Sequence, residues 1–318
     1  MTLGSGGWSS PVVTTTPPRY GTEVEMDNTL VVGVDGSQPS RAALQWAARC
    51  AERSGRRLVV VHVVDGAAER STTGHPDLRG EELLTTERLS AAAVAPHTEI
   101  ETALTVGDPV WAISRTYPDV GAIVVGSHKT GFLRGSSFGS RSLQLVAASM
   151  SPVIVVPAVP ESTARGVVVG LDDSPDGRAA LVFAAREAHD LGDELVIVRS
   201  IPVARGEHLR DADRERDRAV ASLEAARRRA ESMYPGLTIR SRVVHGPAAP
   251  ALVRASARAA LLVVGRSQAV SAPAAVGRVT HDVLLNIGVP TAVVSDGVTA
   301  LTSGPVPTRP ESRRSPAR

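Results

Sequence analysis

The stretch Val31-Val-Gly-Val-Asp-Gly-Ser37 recurs later in the chain as Val168-Val-Gly-Leu-Asp-Asp-Ser174. In both places a short apolar run ends in an acidic residue and a serine. Further matches follow in the same order, ending with Pro152-Val-Ile-Val-Val156 against Pro290-Thr-Ala-Val-Val294. Because chance does not produce so many matches in one order, we infer that the chain contains two copies of one domain.

Each copy alternates predicted strands with predicted helices. Residues 30–34 are apolar throughout, as a strand buried on both faces should be. Ser37 suits the N-cap of the next helix, and Gly55 suits its end. Such alternation predicts a parallel sheet with right-handed crossovers. We therefore expect an α/β protein with two tandem doubly wound domains, each built on a five-stranded parallel sheet.

The predicted organisation is two domains between two tails. The first domain, here called the first repeat, covers residues 28–158, and the second repeat covers residues 165–296. Residues 1–27 and 297–318 are rich in small residues and proline. We predict that both tails are disordered, because they cannot bury enough apolar surface to offset their ordering entropy. Met26, directly before the first strand, is a second candidate translation start beside Met1.

Composition and charge exclude several classes of protein. The chain has one cysteine, Cys50, so neither an internal disulfide nor a cysteine-rich zinc site is possible. Cys50 lies in an Ala-rich helical stretch and is predicted to be a small buried side chain, with a redox role as the alternative. No apolar run suggests a membrane span or a signal peptide, so a cytoplasmic location is expected. A net charge of +2 does not predict nucleic-acid binding.

A glycine-rich loop follows the fourth predicted strand of the first repeat. It reads Gly126-Ser-His-Lys-Thr-Gly-Phe-Leu-Arg-Gly-Ser-Ser-Phe-Gly-Ser140 and leads into a predicted helix. Glycine lets a ligand approach the backbone, and a helix N-terminus favours an anion. The only lysine of the chain, Lys129, lies in this loop, and Arg141 and Ser142 follow it closely. The loop predicts a phosphate site; the alternative is a simple turn with a solvated lysine at its tip.

Asp35 ends the first predicted strand. Its carboxylate can accept hydrogen bonds from ribose hydroxyls or help to hold a metal on a nucleotide. The alternative is a structural role at the start of the helix, next to Ser37. In doubly wound sheets, ligands bind beyond the carboxyl ends of the strands, where the strand order reverses. Pairing with the glycine-rich loop favours the ligand role.

Together these motifs closely resemble universal stress protein domains. The residues that carry the resemblance are Val32-Gly-Val-Asp-Gly-Ser37, Val61-His-Val-Val-Asp65, Gly107-Asp-Pro109, and Val125-Gly-Ser-His128 through Gly139-Ser140. The resemblance covers about residues 28–157 and 165–296. It implies the fold of that family, which is adenine nucleotide α-hydrolase-like.

The resemblance also implies ATP, with or without Mg²⁺, as the ligand of the first repeat. ATP-binding members of the family carry Gly, two residues, Gly, nine residues, Gly and then Ser or Thr. The first repeat has Lys129 at the second of these glycines but keeps the remaining positions. By resemblance the phosphates belong to Gly126, Gly139 and Ser140, the ribose to Asp35, and the adenine to the backbone of Val63. The predicted nucleotide-binding residues are Gly33, Val34, Asp35, Val63, Gly126, Ser127, Lys129, Gly139, Ser140, Arg141 and Ser142.

The second repeat departs further from the family pattern. Gln268 stands at the position of the second glycine, and the loop from Gly265 to Gly277 is one residue shorter. Arg278 replaces the Ser or Thr, while Asp172 remains. We therefore predict weak nucleotide binding in the second repeat, or none.

The expected function is that of a cytoplasmic, ATP-binding universal stress protein that acts as a stress-response sensor or interaction module. Two alternatives remain: a slow ATP-hydrolysing enzyme, and a structural or interaction protein that binds no nucleotide. We predict no catalytic residues and no protein-held metal site, since no known catalytic or zinc motif is present.

The predicted partners are an adenine nucleotide and unidentified proteins, but neither nucleic acid nor a membrane. The final strands of the two repeats, Val153–Val156 and Thr291–Val294, are expected to pair. Such pairing makes the chain an internal pseudo-dimer, with a homodimer of two chains as the alternative.

Overall fold

The computed structural model describes residues 28–64, 78–127, 140–158, 164–201, 203, 209–266 and 276–296. Both predicted tails lie outside them, as do two predicted site residues, Lys129 and Gly139.

Strands and helices alternate through both repeats, as predicted. The elements of the first repeat are β1 (Thr29–Gly33), α1 (Gln38–Ser54), β2 (Arg57–Val64), α2 (Leu78–Ala92), β3 (Ile100–Val106), α3 (Pro109–Thr116), β4 (Ala122–Gly126), α4 (Ser140–Ala148) and β5 (Val153–Val156). Those of the second repeat are β6 (Val167–Gly170), α5 (Pro175–Leu191), β7 (Leu195–Ile201), α6 (Leu209–Met233), β8 (Ile239–His245), α7 (Ala248–Ala255), β9 (Leu261–Gly265), α8 (Arg278–Leu285) and β10 (Thr291–Val294).

The first helix of each repeat begins and ends in the same way. The Ser37 hydroxyl accepts a hydrogen bond from the Ser40 N–H (3.3 Å) at the start of α1, and Ser174 accepts one from Gly177 (2.9 Å) at the start of α5. Both helices end at a left-handed glycine, Gly55 or Gly192, with φ of 67° and 62°. These caps confirm the predicted boundaries of α1.

All the strands form one ten-stranded sheet in the order β3-β2-β1-β4-β5-β10-β9-β6-β7-β8. Within each repeat the five strands are parallel, which confirms the predicted fold class. The repeats meet at β5 and β10, which are antiparallel, with Ile154 opposite Ala292. The last strands of the two repeats therefore pair within the chain, as expected.

Apolar side chains cover both faces of this sheet. Leu30 and Val32 face a layer made by α1, α2, α5 and α6, while Val31 faces a layer made by α3, α4, α7 and α8. Cys50 of α1 is buried in the first layer, which confirms its prediction as a small core side chain. Burial raises the pKa of its thiol to about 12, so the reactive thiolate is disfavoured.

Helix α6 is the longest helix of the described residues and is rich in charge. Arg227 pairs with Glu231 (3.4 Å) and Arg228 with Glu224 (3.9 Å), each four residues apart along the helix. These are exposed pairs of the kind that line a solvated face. Nowhere in the described part of the chain is a helix both long enough and apolar enough to cross a bilayer.

Candidate functional site

The candidate site lies where β1 and β4 end side by side. These two strands are neighbours, with Val32 level with Val124, and the strand order of the first repeat reverses between them. Doubly wound sheets leave a crevice at such a point, beyond the carboxyl ends of the strands. Helix α1 starts from the end of β1, and α4 follows the loop after β4. We call this place the β1–β4 edge.

Asp35 lies at the β1–β4 edge, in the turn that leads into α1. Its carboxylate accepts a hydrogen bond from the Ser37 N–H (3.0 Å), and its own N–H donates to the Ser40 hydroxyl (3.3 Å). Asp35 therefore has the structural role that was the alternative to ribose binding. Its side chain is also exposed at this edge, so the structural role leaves it accessible to a ligand.

Val34 and Val63 mark the ends of the two neighbouring strands. Val34 is buried, and its N–H donates to the Val61 carbonyl (2.8 Å). Its carbonyl lies 2.8 Å from His62 Nδ1. Because a carbonyl only accepts, this contact places the His62 proton on Nδ1. Val63 is half-buried at the end of β2, where it pairs with Thr105 of β3.

Gly126 is required by packing, whatever the ligand. A Cβ atom there would collide with the main chain of Pro39 and would lie 2.8 Å from the Ser40 nitrogen, at the start of α1. Gly265 in the second repeat has the same relation to Asp176, whose carbonyl carbon would be 2.8 Å away. Since the second repeat keeps this glycine although its loop lacks the motif's spacing and its Ser or Thr, Gly126 by itself does not indicate phosphate binding.

Gly33 is also placed by packing. A Cβ atom on it would lie 3.2 Å from Ile113 Cδ1 of α3. The corresponding Gly170 meets Leu252 of α7, with Cδ1 at 2.8 Å. This glycine lets a helix cover the end of the first strand in each repeat.

Packing alone does not explain the side chain of Ser127. It is only 5% exposed, and its N–H donates to the Val156 carbonyl (2.8 Å). Its hydroxyl is buried and has no hydrogen-bond partner among the described residues. A buried hydroxyl without a partner is costly, so its position at the start of the glycine-rich loop indicates a polar group nearby.

The start of α4 is tied back to the end of β4. The Ser142 hydroxyl donates to the Gly126 carbonyl (3.3 Å), and in the second repeat the Thr280 hydroxyl donates to Gly265 (2.7 Å). The Ser142 hydrogen is therefore used within the protein. Arg141 is exposed in the first turn of α4.

The structure thus brings most of the predicted site residues together. Three lie at the end of β1 (Gly33, Val34, Asp35), two at the end of β4 (Gly126, Ser127) and three at the start of α4 (Ser140, Arg141, Ser142), with Val63 on the adjacent strand β2. Lys129 and Gly139 lie outside the described residues. Within those residues, no group of three His, Cys, Asp or Glu side chains is arranged to hold a metal ion.

The corresponding edge of the second repeat carries an ion pair. Arg199 donates to both carboxylate oxygens of Asp173 (2.7 and 2.6 Å) and to the Ser222 hydroxyl (3.0 Å). The Arg199 hydrogen bonds hold the pKa of the Asp173 carboxyl below its usual range. The first repeat has Gly36 and His62 at the positions of Asp173 and Arg199, so it lacks this ion pair.

A main-chain hydrogen bond joins the end of β9 to the start of α8. The Gly277 N–H, just before α8, donates to the Arg266 carbonyl (3.0 Å). An amide that a phosphate would need is thereby satisfied by the main chain. Arg278 begins α8 with a side chain 94% exposed. These contacts give a physical reason for the predicted loss of nucleotide binding in the second repeat.

Comparison with known proteins assigns the chain to a family. The model of the Universal stress protein family matches residues 26–157 and again residues 164–295. The chain belongs to the universal stress protein family. The universal stress protein Rv2005c of Mycobacterium tuberculosis is 30% identical over 253 residues, which cover 74% of this chain and 86% of that protein. Rv1996 of the same organism is 27% identical over 275 residues, 74% of this chain and 84% of that protein.

Solved structures of universal stress proteins share the fold. One from Archaeoglobus fulgidus has a TM-score of 0.62 at 20% identity, covering 85% of this chain and 99% of that chain. A putative universal stress protein from Pseudomonas aeruginosa has a TM-score of 0.60 at 14% identity, covering 88% and 98%. At these identities the likeness establishes the tandem α/β architecture alone.

The sequence motifs do not identify two groups of residues that the structure places at these edges. Ser40 supports the Asp35 turn, and Asp173 with Arg199 occupies the second edge. The signal for the second group is the internal alignment, which sets an acidic and a basic residue against Gly36 and His62. Nothing in the sequence marks Ser40, since a serine in a first helical turn is common.

Proposed function

We propose that this universal stress protein binds ATP in its first repeat and acts in the cytoplasm as a stress-response sensor or interaction module. The observation that carries the proposal is the Ser127 hydroxyl, which is buried at the β1–β4 edge and has no partner among the described residues. It stands at the start of the family's nucleotide loop, where the strand order reverses.

The first repeat supplies suitable groups for each part of the nucleotide. Ser127 and the N-terminal amides of α4 favour phosphate, because the first N–H groups of a helix lack partners within it. The exposed Arg141 adds positive charge in the first turn of α4. Asp35 is exposed at the same edge, where its carboxylate accepts hydrogen bonds from ribose hydroxyls.

Any Mg²⁺ is proposed to bind together with the nucleotide and not to the protein alone. Mg²⁺ is usually held by phosphates, water and one or two carboxylates, and does not require a cage of protein ligands. The described residues offer Asp35 at the β1–β4 edge and no cluster of metal ligands. Asp35 is therefore the protein carboxylate proposed to face the metal or the ribose.

The proposal is for a binding protein and not for an enzyme. A base that activates water for hydrolysis needs a free lone pair within reach of the substrate. The His62 Nδ1 donates to the Val34 carbonyl, so the lone pair of this ring is on Nε2, and the proposal assigns His62 no role as a base.

Native mass spectrometry of the full chain, purified under non-denaturing conditions, tests the proposal. We expect a mass increase that corresponds to one ATP per chain, and isothermal titration calorimetry should return the same stoichiometry. GTP at the same concentration serves as the control for the adenine assignment. Absence of ATP binding at millimolar concentration, or two equivalent sites per chain, contradicts the proposal.

A further inference from the structure

The two repeats also meet through charged side chains at the ends of α1 and α5. Arg56 lies just after α1, and its Nη2 is 2.7 Å from Glu187 Oε1 and 2.8 Å from Asp190 Oδ2 of α5. Arg53 Nη2 lies 3.2 Å from Asp193 Oδ2 and donates to the Leu191 carbonyl (2.6 Å). In these contacts between the repeats, the basic groups belong to the first repeat and the acidic groups to the second. Within the second repeat, Arg186 also lies 3.5 Å from Asp190, and Arg165 lies 3.6 Å from Asp193.

The centre of this charged interface is buried, whereas Arg53 and Asp190 are 33% and 23% exposed. The side chains of Arg56 and Glu187 are each 1% exposed, and that of Asp193 is 5% exposed. Burial by itself would lower the pKa of the Arg56 guanidinium, but Glu187 and Asp190 raise it above its usual range. Arg56 is thus held in its charged form, and loss of its acidic partners would leave a buried charge uncompensated.

The internal alignment relates these residues to one another. Ser37 and Ser174 cap corresponding helices that end at Gly55 and Gly192. The same spacing sets three pairs of equivalent positions, which are Cys50 with Glu187, Arg53 with Asp190, and Arg56 with Asp193. At equivalent positions the first repeat is therefore basic or neutral, and the second is acidic.

The contacts are reciprocal across the junction. Arg53 meets Asp193, and Arg56 meets Asp190, which are the contacts that a two-fold relation between the repeats requires. If two first repeats paired in this way, Arg53 of each would face Arg56 of the other. If two second repeats did so, Asp190 of each would face Asp193 of the other. Like charges buried against each other oppose both arrangements.

We propose that this interface selects its partner by charge, so that a first repeat pairs with a second repeat and not with its own kind. The β5–β10 ladder cannot make this distinction, because its hydrogen bonds are between main-chain atoms. Complementary charge suppresses wrong partners more than it adds affinity. The interface therefore keeps the two repeats of one chain together and prevents chains from joining through like repeats.

A charge-swap cycle in the full chain tests the selection. Arg53 and Asp193 are suitable because Arg53, 33% exposed, is the more accessible of the two arginines. Arg53→Asp and Asp193→Arg should each lower the melting temperature by at least about 5 °C, since each creates a like-charged pair. The double variant should recover more than half of the summed loss.

A neutral pair separates charge selection from simple contact. Arg53→Gln combined with Asp193→Asn should lower the melting temperature less than either single reversal, because it removes attraction without adding repulsion. If the neutral pair loses as much as the reversals, or if the swapped pair recovers nothing, selection by charge is excluded.

A mixing experiment tests the choice of partner directly. Two full chains carry a Gly/Ser linker inserted between residues 158 and 164, long enough to allow exchange between chains. One has two acidic positions reversed and the third neutralised (Asp190→Arg, Asp193→Arg, Glu187→Gln), and the other has both basic positions reversed (Arg53→Asp, Arg56→Asp). Glu187→Gln is included because Glu187 faces position 56 and would otherwise repel the Arg56→Asp side chain. Sedimentation velocity should show a one-to-one complex of two chains only in the mixture, with the unreversed long-linker chain as the monomeric control. Dimers of either variant alone, or no complex in the mixture, would overturn the proposal.

Discussion

Arg266 of the second repeat donates to the main-chain carbonyl of Ser149 in the first repeat, at 3.1 Å. It also reaches the Ala147 carbonyl (3.3 Å), so a cation lies at the C-terminal end of α4. The last carbonyls of a helix lack partners within it and carry the negative end of the helix dipole. The second repeat thus stabilises the helix whose other end lies at the proposed phosphate site.

Replacing Arg266 with alanine should destabilise the whole chain. The change removes both hydrogen bonds to the end of α4, and we expect a loss of about 1–2 kcal/mol. Arg278→Ala is the matched control, because that side chain is 94% exposed and its nearest acid, Asp282, is 3.8 Å away. Chemical denaturation should show a lower midpoint for Arg266→Ala and an unchanged midpoint for Arg278→Ala. Equal midpoints for the two would mean that the contact is not stabilising.

Gly126→Ala and Gly265→Ala should both destabilise the protein, with or without ATP. Each added methyl group would meet main-chain atoms at the start of α1 or α5, and such overpacking costs about 1–3 kcal/mol. Gly288→Ala is the control, since a Cβ atom there meets nothing within 4 Å. Thermal denaturation measures all three. If Gly265→Ala melted at the same temperature as the unaltered protein, packing would not explain why both repeats have a glycine at this position.

Much of the fold is predictable from sequence because its determinants are local. The apolar run at residues 30–34, the cap at Ser37 and the stop at Gly55 each specify one step of a strand–turn–helix unit. The repetition then specifies that the unit occurs twice. The continuous sheet is harder to predict from local sequence, because the pairing of Ile154 with Ala292 depends on how two complete domains meet.

The site is only partly predictable for a related reason. The family motif identifies Asp35 and Gly126, but it does not show that the first also supports a turn or that the second is required by packing against Pro39. The charged interface is hidden in a different way. Arg56 and Glu187 are 131 residues apart in the printed sequence, and each alone looks like an ordinary helical charge. Only the fold reveals that both are buried.

The nucleotide should bind to one repeat only. Gly139→Val should abolish ATP binding, because a β-branched side chain would occupy the space proposed for the phosphates. Gly277→Val is the matched substitution in the second repeat and should leave binding intact. Calorimetric titration with ATP distinguishes the two. If binding survived Gly139→Val and were lost with Gly277→Val, the site would lie in the second repeat and the prediction would be wrong.

Lys129→Ala should weaken ATP and spare adenosine. A charge-assisted hydrogen bond from an ammonium group to a phosphate contributes about 1–2 kcal/mol, which corresponds to a loss of roughly tenfold in affinity. Adenosine has no phosphate, so its affinity should not change. Titrations of both ligands against both proteins provide the comparison. An equal loss for the two ligands would show that Lys129 affects the loop and not the phosphate.

The antiparallel junction between β5 and β10 determines how many faces the molecule can offer to a partner. Because the strands of the two repeats point in opposite directions, the β1–β4 edge and its counterpart lie at opposite ends of the sheet along the strand direction. Two identical domains joined in this way would present the same edge twice, and so could bind two copies of one partner. Here Gly36 and His62 on one side correspond to Asp173 and Arg199 on the other, so the faces differ. A partner that recognised the first edge would find that edge once per chain, and one chain would not cross-link two such partners.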